Sequence, residues 1–261
     1  MTDQNQTPIR IGITERGDAS CDYTWIEKLN QVHGAILITK NLTESFIHTV
    51  MNLWQSGHNR IIIHATCTGY GLSWIEPNAP YYTQQISQLS KLVNAGFPLD
   101  HTVLRIDPIF PNNNGIENAL LVIQEMRRYP NLQGIRIRIS ILDQYPHVRH
   151  RFQNRGFQPL NGGSFHAPNA VMERISKALQ STGLVFECCA EPNLTGPHII
   201  HQGCVSDKDL RLLGLPISQN NNTNPQNRRG CQCLCAKTEL LTKKHPCPMG
   251  CVYCYWKKPG E

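Results

Sequence analysis

Strand-like and helix-like stretches alternate between residues 9 and 186, and this alternation constrains the fold more than any other feature of the sequence. Short apolar or alternating runs predict six strands, at residues 9–13, 35–38, 60–64, 103–106, 134–142 and 184–186. Five of the six are followed by a helix-like stretch before the next strand begins. Strands and helices that alternate in this way form a parallel sheet, so the sequence predicts an α/β fold.

The number of strand–helix units favours an open, partial (β/α)6 TIM-like barrel over a complete eightfold barrel. The predicted helices cover residues 23–32, 44–55, 82–95, 116–128, 148–153 and 170–179. A doubly wound sheet is the alternative, but no G-x-G-x-x-G motif follows any predicted strand. In a partial barrel, the functional site is expected at the carboxyl ends of the strands.

The cysteines are concentrated in the last third of the chain. Nine of the eleven lie between Cys188 and Cys254. The N-terminal residues are polar and lack an apolar signal core, and no stretch approaches the roughly 18 apolar residues that a membrane helix needs. We therefore expect a soluble cytoplasmic protein without a membrane partner, in which clustered thiols are metal ligands or catalytic groups and not a disulfide scaffold.

The segment from Cys247 to Cys254 reads C-x3-C-x2-C, with Tyr253 directly before the last cysteine. Thiolate ligands select zinc, copper(I) or iron–sulfur clusters. A structural zinc site has four ligands, commonly as two C-x2-C pairs. Cys247, Cys251 and Cys254 instead fit a [4Fe–4S] cluster in which the protein binds three irons and the fourth stays open, with a zinc knuckle as the alternative.

This triplet resembles the C-x3-C-x-aromatic-C signature of radical S-adenosylmethionine (radical SAM) enzymes, although that signature normally follows the first barrel strand. Over most of its length the chain resembles the family known as domain of unknown function 1848, which has the triplet near its C-terminus. The motifs that carry this resemblance are TKN (39–41), TGYG (68–71), EPN (76–78), RIDPI (105–109), S-x-x-D-x-Y (140–145), CAE (189–191), GCVSD (203–207), GCQC (230–233) and residues 247–255.

The radical SAM resemblance implies an enzyme on a partial (β/α)6 barrel. The open iron of its cluster would bind the amino and carboxylate groups of S-adenosylmethionine, and Tyr253 would lie near the adenine. After reduction by a reductase or flavodoxin-type donor, cleavage of S-adenosylmethionine would yield a 5′-deoxyadenosyl radical. That radical would abstract hydrogen from a substrate that the sequence does not identify, a nucleic-acid base or nucleotide being one candidate.

A second set of cysteines is also marked by the family resemblance. It comprises Cys189, Cys204, Cys231 and Cys233. Four thiolates complete either an auxiliary [4Fe–4S] cluster, which we favour, or a structural zinc site. We expect residues 1–192 to form the partial barrel. Residues 193–261 would form a cysteine-rich, cluster-binding segment that folds over the barrel mouth, with asparagine-rich residues 218–227 as a linker.

Polar residues stand where the predicted strands end. Arg105 lies within an apolar strand and needs a partner, for which Asp107, two positions on and on the same face, is a candidate. We predict that the triplet folds back near Lys40, Arg105 and Ser140, which would meet the carboxylate and ribose of S-adenosylmethionine. Other polar residues at these ends are Glu15, Arg16, Asn41, Thr68, Tyr70, Asp143 and Glu191.

The C-terminal tail is basic. Residues 228–261 contain seven Lys or Arg and two Glu, which gives seven minus two, or +5. This charge indicates either a nucleic-acid partner or electrostatic balance for cluster thiolates. Two other functional classes therefore stay open: a zinc-stabilised nucleic-acid-binding protein, and an iron–sulfur electron-transfer protein that does not use S-adenosylmethionine.

Overall fold

The computed structural model describes residues 9–158, 160, 164–217, 232–241 and 247–256. Eight strands form one sheet in the order β7-β6-β5-β4-β3-β2-β1-β8. The strands are β1 (Arg10–Ile13), β2 (Gly34–Thr39), β3 (Ile61–Thr66), β4 (Thr102–Ile109), β5 (Arg136–Ile141), β6 (Phe186–Cys188), β7 (Ile199–His201) and β8 (Ala236–Glu239). Every neighbouring pair is parallel, which confirms the predicted α/β class.

Helices connect most of these strands. They are α1 (Glu44–Gln55), α2 (Tyr82–Asn94), α3 (Asn113–Met126), α4 (Pro146–Gln153), α5 (Asn169–Gln180) and α6 (Asp207–Leu212). Thr43 caps α1 by accepting a hydrogen bond from the Phe46 amide. The stretch predicted as a first helix instead contains a 3-10 helix at Ile26–Gln31, closed by i→i+3 bonds. None of the helices in the described ranges is long and apolar enough to cross a membrane.

The sheet contains two strands more than the six predicted. β7 is three residues long, and β8 has the sequence AKTE, so neither shows a clear apolar pattern. β8 pairs with β1, at the opposite end of the sequence. Near the two sheet edges, Leu234 N–H donates to the Val205 carbonyl at 3.1 Å. The strand order and this contact are consistent with a partial barrel that is almost closed.

The two faces of the sheet are buried in different ways. The outer face packs against α1, α2, α3 and α5 in the larger apolar core. The inner face, on the β1–β3 side, packs against Leu210 and Leu213 of α6 and its C-terminal end. α6 therefore fills part of the barrel interior. Burial of each such leucine stabilises the fold by roughly 1.5–3 kcal/mol.

The β5–β6 side of the interior is charged. Arg136 donates to Glu187 Oε1 at 2.8 Å and to Asp209 Oδ1 at 2.8 Å. Arg138 donates to Glu187 Oε2 at 2.7 Å and to the Cys204 carbonyl at 2.9 Å. Burial opposes ionisation of Asp209, but Arg138 and Arg136 outweigh it and lower its pKa to about 2. This network ties α6 and the loop after β7 to the sheet.

Candidate metal and cofactor site

A cavity of about 420 Å³ lies at the carboxyl ends of the strands. Its volume falls within the range of about 300–1,000 Å³ that is usual for ligand sites. Ten of the twelve predicted site residues line it: Lys40, Arg105, Asp107, Ser140, Cys189, Cys204, Cys247, Cys251, Tyr253 and Cys254. Of the other two, Cys233 is buried and contacts Cys204, and Cys231 lies outside the described residues. Six of the seven basic residues of the C-terminal tail also lie outside them.

The loop that carries the cysteine triplet is fixed by main-chain hydrogen bonds. Val252 N–H donates to the Ile75 carbonyl at 3.0 Å, in the segment between β3 and α2. On the other side, Arg151 of α4 donates through Nε to the Val252 carbonyl at 2.7 Å. Gly250 turns the chain with a φ of 70°, a value that favours glycine. The loop is therefore held between the β3–α2 segment and α4.

The triplet thiols lie in a poorly solvated environment. Burial raises the pKa of Cys247 to about 12 and that of Cys251 to about 11. Such thiols are protonated at neutral pH until a metal displaces the proton. Cys247 and Cys251 are therefore neutral thiols that become anionic thiolates when they bind a metal.

Lys40 and Tyr253 line the cavity and form a hydrogen-bonded cluster with the buried Glu76. Lys40 Nζ donates to Glu76 Oε1 at 2.9 Å and to Tyr253 Oη at 2.7 Å. Tyr253 Oη also donates to Glu76. Burial, followed by the charge of Glu76, raises the pKa of Tyr253 well above 10, so its hydroxyl stays neutral. These contacts occupy two of the three N–H donors of Lys40, which leaves one to meet a ligand.

Arg105 has the partner that the alternation of β4 predicted. Its Nε donates to Asp107 Oδ2 at 2.7 Å. Ser140 Oγ donates to Glu191 Oε1 at 3.2 Å, and Glu191 also accepts from Ile141 N–H at 3.1 Å. Arg105 and Ser140 therefore reach the cavity from β4 and β5 with their orientations set by neighbouring carboxylates.

The second cysteine set comes together from three separate segments. The sulfurs of Cys189 and Cys204 lie 3.4 Å apart, and Cys204 also hydrogen-bonds Cys233. Those thiol hydrogen bonds lower the pKa of Cys204 well below 9, with help from Lys237 and Arg105. Cys189 and Cys204 line the same cavity as the triplet. The two sets therefore line the same cavity.

The donor chemistry fits iron–sulfur ligation. In the described ranges, no group of three or more His, Cys, Asp or Glu side chains forms a ready-made site for a single metal ion. A [4Fe–4S] cluster makes a different demand, because each thiolate binds a different iron of the cubane. Three cysteine side chains on one short loop, facing a cavity, meet that demand.

Several residues of the site were not selected from the sequence. Glu76 was recognised only as part of a motif, and its contact with Lys40 required the fold. Lys237 sits in β8, a strand that the sequence did not predict, and donates to Glu15 at 2.9 Å. Thr66, at the end of β3, lines the cavity with a buried hydroxyl that has no hydrogen-bond partner among the described residues. The position of Thr66 at the end of a strand was the sequence signal that could have identified it as a site residue.

Comparison with protein-family models matches residues 22–256 to a family described as a domain of unknown function, DUF1848. The match covers nearly the whole chain, so the protein belongs to this family. A search of the curated proteins finds no match. The family description assigns no chemistry, and a functional conclusion therefore depends on the residues of the site.

Proposed function

We propose that this protein is a radical SAM-type enzyme. One observation carries the proposal. The three thiols of the C-x3-C-x2-C triplet line a cavity at the carboxyl ends of parallel strands, together with Lys40, Arg105 and Tyr253. This is the edge of a parallel barrel at which ligands are bound.

Cys247, Cys251 and Cys254 would hold a [4Fe–4S] cluster with one open iron. When bound, such a cluster supplies one electron for reductive cleavage of the sulfur–carbon bond of S-adenosylmethionine, giving methionine and a 5′-deoxyadenosyl radical that takes hydrogen from the substrate. A reductase or flavodoxin-type protein would be the electron donor. Cys189, Cys204, Cys231 and Cys233 would hold an auxiliary cluster, with zinc as the alternative.

The residues around the triplet orient the ligands and restrict access of water. Arg105, paired with Asp107, and the remaining donor of Lys40 can bind the carboxylate of S-adenosylmethionine. The Tyr253 hydroxyl is engaged by Lys40 and Glu76, which fixes its ring beside the triplet. The Tyr253 ring packs on the buried Phe110 with centroids 5.6 Å apart, which backs the ring with apolar side chains. Apolar packing behind the wall of a site restricts the entry of water to a reactive intermediate.

Anaerobic purification followed by an assay for 5′-deoxyadenosine tests the proposal. The expected result is iron and sulfide in the protein, and an electron paramagnetic resonance signal that changes when S-adenosylmethionine is added to the reduced form. Cys247→Ala should abolish 5′-deoxyadenosine formation. Cys21→Ser, at an exposed cysteine that does not line the cavity, is the matched control.

Two results would exclude the proposal. Stoichiometric zinc without iron would favour the zinc-stabilised alternative. A reducible iron–sulfur protein that never cleaves S-adenosylmethionine would favour the electron-transfer alternative.

A further inference from the structure

Three aromatic side chains stand at the opening of the cavity. Tyr145, Tyr255 and Trp256 all line it and are partly or largely exposed. Tyr255 packs against Tyr145 with ring centroids 4.9 Å apart. On the opposite side, the guanidinium carbon of Arg16 lies 5.0 Å from the centre of the Trp256 ring. Residues 255–256 thus extend from the loop after β5 to the loop after β1. We call the side chains of Tyr145, Tyr255, Trp256 and Arg16 the aromatic rim.

Two rings of the rim, Tyr145 and Tyr255, are held in place by hydrogen bonds and ring packing. The Tyr255 hydroxyl accepts a hydrogen bond from Asp143 N–H at 3.2 Å. The main-chain carbonyl of Tyr255 forms a hydrogen bond with His147 Nε2 at 3.1 Å. The ring of Tyr145 also packs edge-on against Phe165, with centroids 4.9 Å apart. Aromatic surface that is oriented before a ligand arrives binds flat rings at little entropic cost.

The charges of the cavity single out Arg16. Four cationic side chains line the cavity: Arg16, Lys40, Arg105 and Lys237. Three of them are paired with carboxylates, Lys40 with Glu76, Arg105 with Asp107 and Lys237 with Glu15. The Arg16 side chain has no carboxylate partner among the described residues, and only its main-chain N–H bonds an acid, Glu239, at 3.0 Å. Among the described residues, Arg16 is therefore the lining cation whose charge no carboxylate offsets, and it is separate from Lys40 and Arg105, to which the carboxylate of S-adenosylmethionine is assigned.

We propose that the aromatic rim binds the substrate of this enzyme as a nucleotide, with the base stacked on the rings and the phosphate bound by Arg16. The inference rests on the proposed function, because it names the substrate class of that same site. Stacking on an aromatic side chain is tolerant of base identity, and a guanidinium binds phosphate through paired N–H donors. A nucleoside 5′-monophosphate supplies both a flat ring and an anion within one small molecule.

Calorimetric titration of the metal-loaded protein under anaerobic conditions tests this assignment. The probes are the four common ribonucleoside 5′-monophosphates, the matching nucleosides, and ribose 5-phosphate. At least one nucleotide should bind, and loss of either the base or the phosphate should weaken binding roughly tenfold or more. Binding should persist in the presence of saturating S-adenosylmethionine.

Two substitutions separate the roles of the rim. Arg16→Gln should weaken nucleotide binding roughly tenfold and leave nucleoside binding unchanged, because only the phosphate partner is lost. Trp256→Leu should weaken the binding of both nucleotides and nucleosides. Trp256→Phe, which keeps an aromatic ring, should retain most of the wild-type affinity. Arg10→Gln, at an exposed arginine at the amino end of β1, is the control and should bind as wild type.

The inference is overturned if no nucleotide binds, if ribose 5-phosphate binds as tightly as the nucleotides, or if Arg16→Gln binds them normally. Displacement of the nucleotide by S-adenosylmethionine also overturns it, because the rim would then belong to the S-adenosylmethionine site. Failure of the proposed function is a separate result: the wild-type protein would not cleave S-adenosylmethionine, whatever nucleotides it binds.

Discussion

The two cysteine sets share one cavity but are built in different ways. The triplet Cys247, Cys251 and Cys254 comes from one eight-residue loop, which hydrogen-bonds the main chain of the β3–α2 segment and the Arg151 side chain of α4. Cys189, Cys204 and Cys233 come from three segments that meet only in the folded barrel. A local set is visible in the sequence, and no distant segment is needed to bring its three cysteines together. A dispersed set depends on the integrity of the whole sheet.

The strongest test of this comparison removes the triplet alone. Replacement of Cys247, Cys251 and Cys254 together by Ala should abolish cleavage of S-adenosylmethionine. If the dispersed set holds a cubane, about four irons per chain should remain after this change. Iron analysis and electron paramagnetic resonance measure the outcome. Complete loss of metal from a folded triple variant would contradict the presence of two centres.

The next largest effect is expected at Arg138. This side chain joins Glu187 and Asp209 to the Cys204 carbonyl, so it supports the dispersed set from inside the barrel. Arg138→Met leaves two buried carboxylates with Arg136 as their one remaining cation, so one buried negative charge is uncompensated and the protein should lose about 3–5 kcal/mol of stability. Denaturant unfolding measures this loss. The control variant Arg128→Met removes an exposed arginine and should cost less than about 1 kcal/mol of stability. Equal losses of stability in the two variants would contradict the role of the buried network.

A smaller effect should follow from crowding the dispersed set. A Cβ added at Gly203 would stand 2.5 Å from the Cys233 main chain. Gly203→Ala should therefore displace Cys233, cost roughly 1–3 kcal/mol and lower the content of the second metal. The spectroscopic signal of the triplet should be unchanged. If both signals fell together, the two sets would not be independent.

The smallest effect is expected at the Tyr253 hydroxyl. Tyr253→Phe removes two hydrogen bonds but leaves Lys40 paired with Glu76, so we expect a loss of about 0.5–1.5 kcal/mol in stability. S-adenosylmethionine affinity should fall only a few-fold, because the ring remains. Equilibrium binding of S-adenosylmethionine to Tyr253→Phe and to Tyr253→Ala measures this difference. An equal loss of affinity in both variants would show that the hydroxyl, and not the ring, determines binding.

The sequence predicted the features that depend on local order. The alternation of strands and helices indicated the parallel sheet, and the i, i+2 spacing within β4 indicated the Arg105–Asp107 pair. The alternation in β5 was also visible in the sequence. The sequence did not show that Arg136 and Arg138 face a buried interior and pair with α6. The partner residues Glu187 and Asp209 are distant in sequence. Contacts of this kind follow from topology, which residue spacing does not specify.

β8 was missed for the same reason. Its four residues carry no apolar alternation, and its partner β1 lies more than two hundred positions away. Lys237 and the adjoining wall of the cavity were missed with it. The dispersed cysteines were selected through the family resemblance, since their spacing alone is a weak signal.

The pairing of β8 with β1 has a consequence for biosynthesis. During translation, β1 emerges early and keeps one edge without a neighbour until β8 has been synthesised. An unpaired strand edge is a template for aggregation, and contacts of long sequence separation form slowly. The triplet cysteines leave the ribosome only after β8, so the walls of the cavity and the thiols that line it are completed in close succession. A nascent chain that lacks β8 therefore offers no finished cavity to a metal or to any other ligand.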